Sequence, residues 1–165
     1  MILTGRYNHL ALIKCGAAFN RDEPDGNTYV LPDGLDTTAY NTHLTAVNKQ
    51  SLKDNVSAKR YAVETAGINF TYRTVPTPVS TSRETRASMI GAHTKAKEGR
   101  WVEAPATEKP FKFGDGKFRP VTTQEVIDIY RAVESHVDTC YAVEARKLAE
   151  IDATGTTDIN TGWPT

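Results

Sequence analysis

The stretch Phe111–Ala153, "FKFGDGKFRPVTTQEVIDIYRAVESHVDTCYAVEARKLAEIDA", decides the fold. Phe111 and Phe113 alternate, Asp115-Gly116 reverses the chain and Phe118 opens a return strand. Asp-Gly between alternating apolar residues is among the strongest short hairpin signals. Pro120 has no N–H to give a ladder and is expected to end the return strand. Thr122 and Glu125 then have the spacing of a capping box, hydroxyl and carboxylate each satisfying an orphan backbone donor. Behind that cap, Val126, Tyr130, Val133, Val137 and Cys140 recur at intervals of four and three. Tyr141, Ala145, Leu148 and Ile151 follow after the rhythm slips by one position around Glu144. The pattern predicts a helix from Thr123 to Asp152, roughly 30 residues and ~45 Å long at 1.5 Å per residue.

Such a helix outruns the diameter of a compact domain of this size and must pack along another long element. That element is either a helix over Asp36–Ala66 or the same helix in neighbouring chains, since a four-three rhythm is that of helices wrapping a partner. The expected oligomer or partner interface comprises Val126, Tyr130, Val133, Val137, Tyr141 and Leu148, joined by Trp163 of the polar tail. His136 borders the stripe and reads as a buried, hydrogen-bonded core histidine rather than a ligand or pH switch.

Upstream, "NRDEPDGN" and "LPDGLD" carry turn residues on both sides of a short strand over Thr28–Leu31. They imply a small β-hairpin element within residues 1 to 35. Leu52, Val56, Lys59, Val63 and Ala66 form one stripe of a helix that Gly67 terminates. "INFTYR" alternates Ile68, Phe70 and Tyr72 as a half-buried strand, whereas "TVPTPVSTS" reads as a breaker run. Thr81 and Glu84 suggest a second capping box, for a helix to Lys97 that stops at Gly99. Ala87, Met89 and Ile90 are nearly all of its apolar content, so that helix must lean on something else. The fold class is therefore α+β: an N-terminal β-hairpin element, two or three helices, a short aromatic hairpin and a long C-terminal helix packed antiparallel or in an oligomeric bundle. The expected division is an N-terminal attachment lobe over residues 1–50 and an α+β domain over residues 51–165.

Composition narrows the function. The 165 residues carry twenty basic and twenty acidic side chains, and only 39% are hydrophobic. Neutrality gives no basic footprint for a nucleic acid. The first nineteen residues lack the basic start and clean apolar run of a signal peptide, and no stretch approaches the ~18 apolar residues of a membrane span. Cys15 and Cys140 match no metal or redox spacing and read as buried thiols in a reducing cytosol. His9, His43, His93 and His136 are scattered, so no metal site is expected. "GDGK" at Gly114–Lys117 lacks the second half of a phosphate loop and belongs to the hairpin. No nucleophile elbow and no marked carboxylate pair is present, so neither an enzymatic activity nor a cofactor is expected.

"TSRETRASMIGAH" (Thr81–His93), the aromatic hairpin, "AVESHVDTCYAVEARKLAEIDA" and the closing Trp163-Pro164 together resemble an uncharacterised domain family of tailed bacteriophages. That family usually forms the C-terminal part of tail-fibre or tail-fibre-associated proteins. Its pattern is an Arg-rich first helix, a short W-x-x-x-D-G-x-F hairpin, a long Ala/Val-rich helix centred on H-V-x-x-x-[FY], and a final Trp-Pro. His136-Val137 with Tyr141 supply the centre here, and Phe111 stands where the family often has Trp. The resemblance covers about Ser57–Pro164. It implies a virion or virion-assembly role without catalytic residues: a structural component of the tail, at the fibre or its junction with the baseplate. Its partners would be other tail, fibre or baseplate proteins and further copies of itself, and its location the virion, by way of the host cytoplasm during assembly. The alternative is a tail-fibre assembly chaperone not retained in the virion; a fibre-borne glycan hydrolase would require a carboxylate pair in a groove.

Overall fold

A computed structural model describes residues 2–3, 18–23, 26–30, 37–103 and 106–164. Along the chain these form β1 (Ile2–Leu3), β2 (Ala18–Glu23), β3 (Gly26–Val30), α1 (Thr37–Thr65), β4 (Ile68–Tyr72), β5 (Val75–Val79), α2 (Arg83–Lys97), β6 (Lys109–Lys112), β7 (Phe118–Val121) and α3 (Thr123–Thr154). The architecture is the expected α+β arrangement, with a long C-terminal helix of 32 residues. Two compact units divide it, one of Met1–Asp54 with Glu150–Thr157 and one of Asn55–Ala149 with Asp158–Thr165. α1 and α3 each run through both.

In the first unit β1, β3 and β2 form an antiparallel sheet in that order. The β2–β3 pairing is the anticipated hairpin, with its register shifted between Phe19 and Arg21. Cys15, His9 and the turn at Pro32-Asp33-Gly34 lie outside the described residues. The α1 and α3 segments of this unit are tied through one residue. Lys49 Nζ donates to the Asp152 carbonyl at 3.0 Å, and Lys53 pairs with the Asp152 carboxylate at 2.6 Å.

The second unit contains the hydrophobic core: Tyr72, Val79, Met89, Trp101, Phe113, Val121, Val126, Ile129 and Val133 are all buried. Here α1 and α3 run antiparallel, as Arg60 meets Glu144 while Val63, further along α1, meets His136, further back on α3. Helix ends follow local chemistry. Thr122 and Glu125 form the expected capping box, the Thr122 N–H donating to Glu125 Oε2 at 2.7 Å and the Glu125 N–H to Thr122 Oγ1 at 3.2 Å. α2 is capped one residue later than the spacing suggested: Ser82 Oγ accepts from the Thr85 N–H. Thr81 is instead buried, its hydroxyl accepting from the Gly67 N–H at 2.9 Å. Gly67 terminates α1 at φ +94°, where a Cβ would meet the Val79 carbonyl oxygen at 3.0 Å.

Two expectations about proline are corrected. The run Val75–Val79 is a strand, paired with β4, rather than a breaker. Its prolines face Asn69 and Thr71 across the ladder. Both therefore occupy alternate positions whose missing N–H points away from β4, leaving Val75, Thr77 and Val79 to carry the hydrogen bonds. Pro120 likewise sits inside β7, not after it, and faces Pro110 of β6. Two prolines can oppose each other only as a non-hydrogen-bonded pair, so neither costs the ladder a bond. Tyr72 then donates its hydroxyl to the Pro120 carbonyl, joining the two hairpins.

Candidate interaction groove

α3 presents a closed seam and an open one within the second unit. The closed seam begins in the core with the hairpins and continues along α1. Val126, Ile129, Val133, His136, Cys140, Val143 and Lys147 are buried along α3, at spacings of three and four. The polar members are satisfied: His136 Nε2 donates to the Val63 carbonyl at 3.1 Å, and Lys147 Nζ donates to the Asp158 carbonyl. Glu64 of α1 is fully buried between two cations, paired with Arg60 one turn earlier and with Arg86 of α2 at 2.5 Å. Arg60 Nε also lies 3.0 Å from Glu144 Oε2, at ion-pair distance without hydrogen-bond alignment. A charge removed from water this completely persists only when paired.

The open seam lies between α2 and α3. Here Ile90, Met89 and Val137 form the apolar floor of a groove of about 300 Å³. Arg83 and Arg86 stand along its α2 rim, Glu134 and Asp138 along its α3 rim. Ile90 remains 55% exposed, which for a large aliphatic side chain in the middle of a helix leaves apolar area without cover. Tyr130 closes one end. Its ring stacks on His93 at 3.9 Å between centroids, and its hydroxyl donates to Glu134 Oε1 at 2.5 Å. That bond and the carboxylate charge, with burial adding to them, push the Tyr130 phenol up to about 12.

The seven residues assigned to an interface from the sequence are thereby separated. Val126 and Val133 belong to the chain's own core, and Val133 also lines the groove. Tyr130 and Val137 line the groove, half-buried. Tyr141 is exposed on another face, beneath the Arg60 guanidinium at 4.7 Å. Leu148 is half-buried. Trp163 docks back on its own tail: Nε1 donates to the Ile159 carbonyl at 2.7 Å, and Lys147 Nζ lies 5.7 Å from the ring. The buried stripe thus passes through Ile129 and His136, while Tyr130 and Val137 beside it are half-buried. Ile90 and the charged rims were not singled out as functional, although the thin apolar content of α2 was their signal.

Cys140 lies 3.8 Å from His136 Nε2, but that nitrogen already donates to the Val63 carbonyl and so has no lone pair with which to take the thiol proton. Burial raises the Cys140 pKa, against a smaller opposite pull from Arg60 and Arg86. Among the described residues no group of three or more His, Cys, Asp and Glu side chains is placed to hold a metal ion. Among the same residues, no helix is long and apolar enough to cross a membrane.

The fold and groove define a small α+β domain of helices and two-stranded hairpins, with one apolar channel left open between α2 and α3. Residues 47–161 match the family described as Domain of unknown function (DUF4376), and the chain belongs to that family. No curated protein and no solved structure matches it.

Proposed function

We propose that this protein is a structural component of a bacteriophage tail, at the tail fibre or the fibre–baseplate junction, working through protein–protein contacts. The observation that carries the reading is the α2–α3 groove, an uncovered apolar floor between a cationic and an anionic rim. The tail assignment itself rests on the resemblance of Thr81–His93, the aromatic hairpin, the His136-Val137…Tyr141 centre and Trp163-Pro164 to the phage domain family. A helix of a neighbouring tail, fibre or baseplate protein with apolar residues at helical spacing would cover Ile90 and Val137. Its flanking charges would choose its direction between the two rims.

A second reading has an observation of its own. The α3 seam facing α1 is sheltered by the chain's own residues, which suits a module that exists free between engagements, as a tail-fibre assembly chaperone does. Mass spectrometry of purified particles separates the two. A tail component is present in mature virions, and its absence rejects that role. Rescue of soluble fibre on co-expression by a protein missing from the particle supports the chaperone. Ile90→Glu places a charge on the groove floor and should abolish either association while leaving the fold intact.

A further inference from the structure

On the opposite side of α2 from the open seam, a second cleft of about 700 Å³ lies against the aromatic hairpin. We propose that this cleft binds an apolar or aromatic group bearing a carboxylate. Its body is Met89 and Ala92 of α2 with Trp101, Phe111 and Phe113, an apolar and aromatic surface that suits a flat or branched hydrocarbon. Its polar groups are of one kind. Trp101 is only 8% exposed, and its Nε1–H has no hydrogen-bond partner among the described residues. A buried indole donor left in that state costs free energy, which an acceptor reaching it from the cleft by a small shift of the lining would return. Lys95 and Lys112 also line the cleft, while Lys109 Nζ stands 5.2 Å from the Trp101 ring. Ser80 Oγ accepts from the Ser82 N–H and from Thr85 Oγ1, leaving its own proton to give.

Among the described residues no carboxylate lines the cleft. The one acid of the adjoining turn, Asp115, is held by both terminal nitrogens of Arg119, at 2.9 and 2.7 Å. Donors and cations without an opposing acid select an anionic acceptor, and the aromatic walls select what carries it. The lining also includes an exposed glycine. Gly91 lies inside α2, where glycine is the costliest residue after proline, yet a Cβ there would meet nothing within 4 Å. An alanine would be sterically free and better for the helix, and the empty position is what a ligand would use.

The chemistry has two sources, a free aromatic acid or the C-terminal residue of a polypeptide. The test titrates the full-length ¹⁵N-labelled chain with 4-phenylbutyrate, and separately with a short peptide ending in Phe, reading the Trp101 indole N–H resonance against that of Trp163. Both probes present the carboxylate; 4-phenylbutyramide and the C-terminally amidated peptide do not. The expected result is a saturable shift of the Trp101 resonance with a carboxylate probe, at least tenfold weaker with its amide, and no shift at Trp163. Tighter binding of the peptide assigns the site to a chain end, tighter binding of the free acid to a small molecule. Gly91→Leu, which adds a bulky side chain to the lining, should abolish the shift while thermal stability stays equal or rises. Silence of Trp101 with both carboxylates at millimolar concentration overturns the proposal, as does equal binding of acid and amide or undiminished binding by folded Gly91→Leu.

Discussion

α3 meets its two helical neighbours in the second unit in opposite ways. Along one strip it buries His136, Cys140, Val143 and Lys147, with His136 bonded to the Val63 carbonyl of α1 and Lys147 to the Asp158 carbonyl of the tail. Against α2 it offers Tyr130 and Val137, half-buried, beside an Ile90 left more than half exposed. The closed seam buries His136 and Lys147, whereas the open one keeps its charges on the rims and an apolar floor between them. Buried polar groups that find partners within the chain make a seam specific, whereas an uncovered apolar floor is the surface that the proposed partner would cover. On the function proposed above, stability and recognition would occupy different strips of one helix.

The comparison breaks most visibly where a charge enters the closed core. Val133→Asp buries a carboxylate with no assigned cation, and should cost on the order of 4–5 kcal/mol, read as a lower urea midpoint or a chain that no longer folds. Glu64→Ala leaves Arg60 and Arg86 facing each other without their anion. Both are partly hydrated, so about 3 kcal/mol is expected, with Glu64→Gln losing less because its amide oxygen still accepts. Across the helix, Ile90→Glu should change stability by no more than ~0.5 kcal/mol, as for ordinary surface substitutions, while removing partner capture. Equal loss of stability from Ile90→Glu and Val133→Asp would erase the distinction between the seams.

Titration sharpens it further. The Tyr130 phenol is raised to about 12, so the fold favours its neutral form. That contribution is complete below the ordinary phenol range and is lost as pH rises through the folded value. Absorbance at 295 nm should show one tyrosine ionising late, and Tyr130→Phe should delete that step. At the other end of the scale, Arg73 and the Thr122 cap hold the Glu125 carboxyl below its usual range. Its stabilisation is present above that range and disappears as pH falls through the lowered value, so the acid limb of the stability curve should soften in Glu125→Gln. The smallest signal is at Cys140, whose raised thiol and full burial predict slow alkylation in the native chain, followed by site-resolved mass spectrometry, and rapid alkylation in denaturant.

Much of the framework was legible because it is written in local chemistry. The Thr122–Glu125 box, the Gly67 stop and the Asp115-Gly116 reversal each depend on residues within a turn of one another. Less legible was whatever depends on residues far apart. The β4–β5 turn uses Arg73 and Thr74 at φ 45° and 76°, two residues that rarely adopt left-handed backbone, so no Asn-Gly or Asp-Gly signal marked it. Arg73 is held there by Glu108 and Glu125 from distant elements. On α3 the four-three rhythm runs through Tyr130 and Val137, whereas the most deeply buried neighbours are Ile129 and His136. His136 and Lys147 hold seam positions through hydrogen bonds to Val63 and Asp158 that no periodicity records. The groove was foreshadowed only by the thin apolar face of α2.

The most direct measurement is the urea unfolding midpoint of the purified chain over a hundredfold range of protein concentration, with its native mass. If each chain shelters its own long-helix seam, the midpoint stays constant and the mass is that of one chain. A midpoint that climbs with concentration would mean that the seam is shared between polypeptides, and would contradict the account.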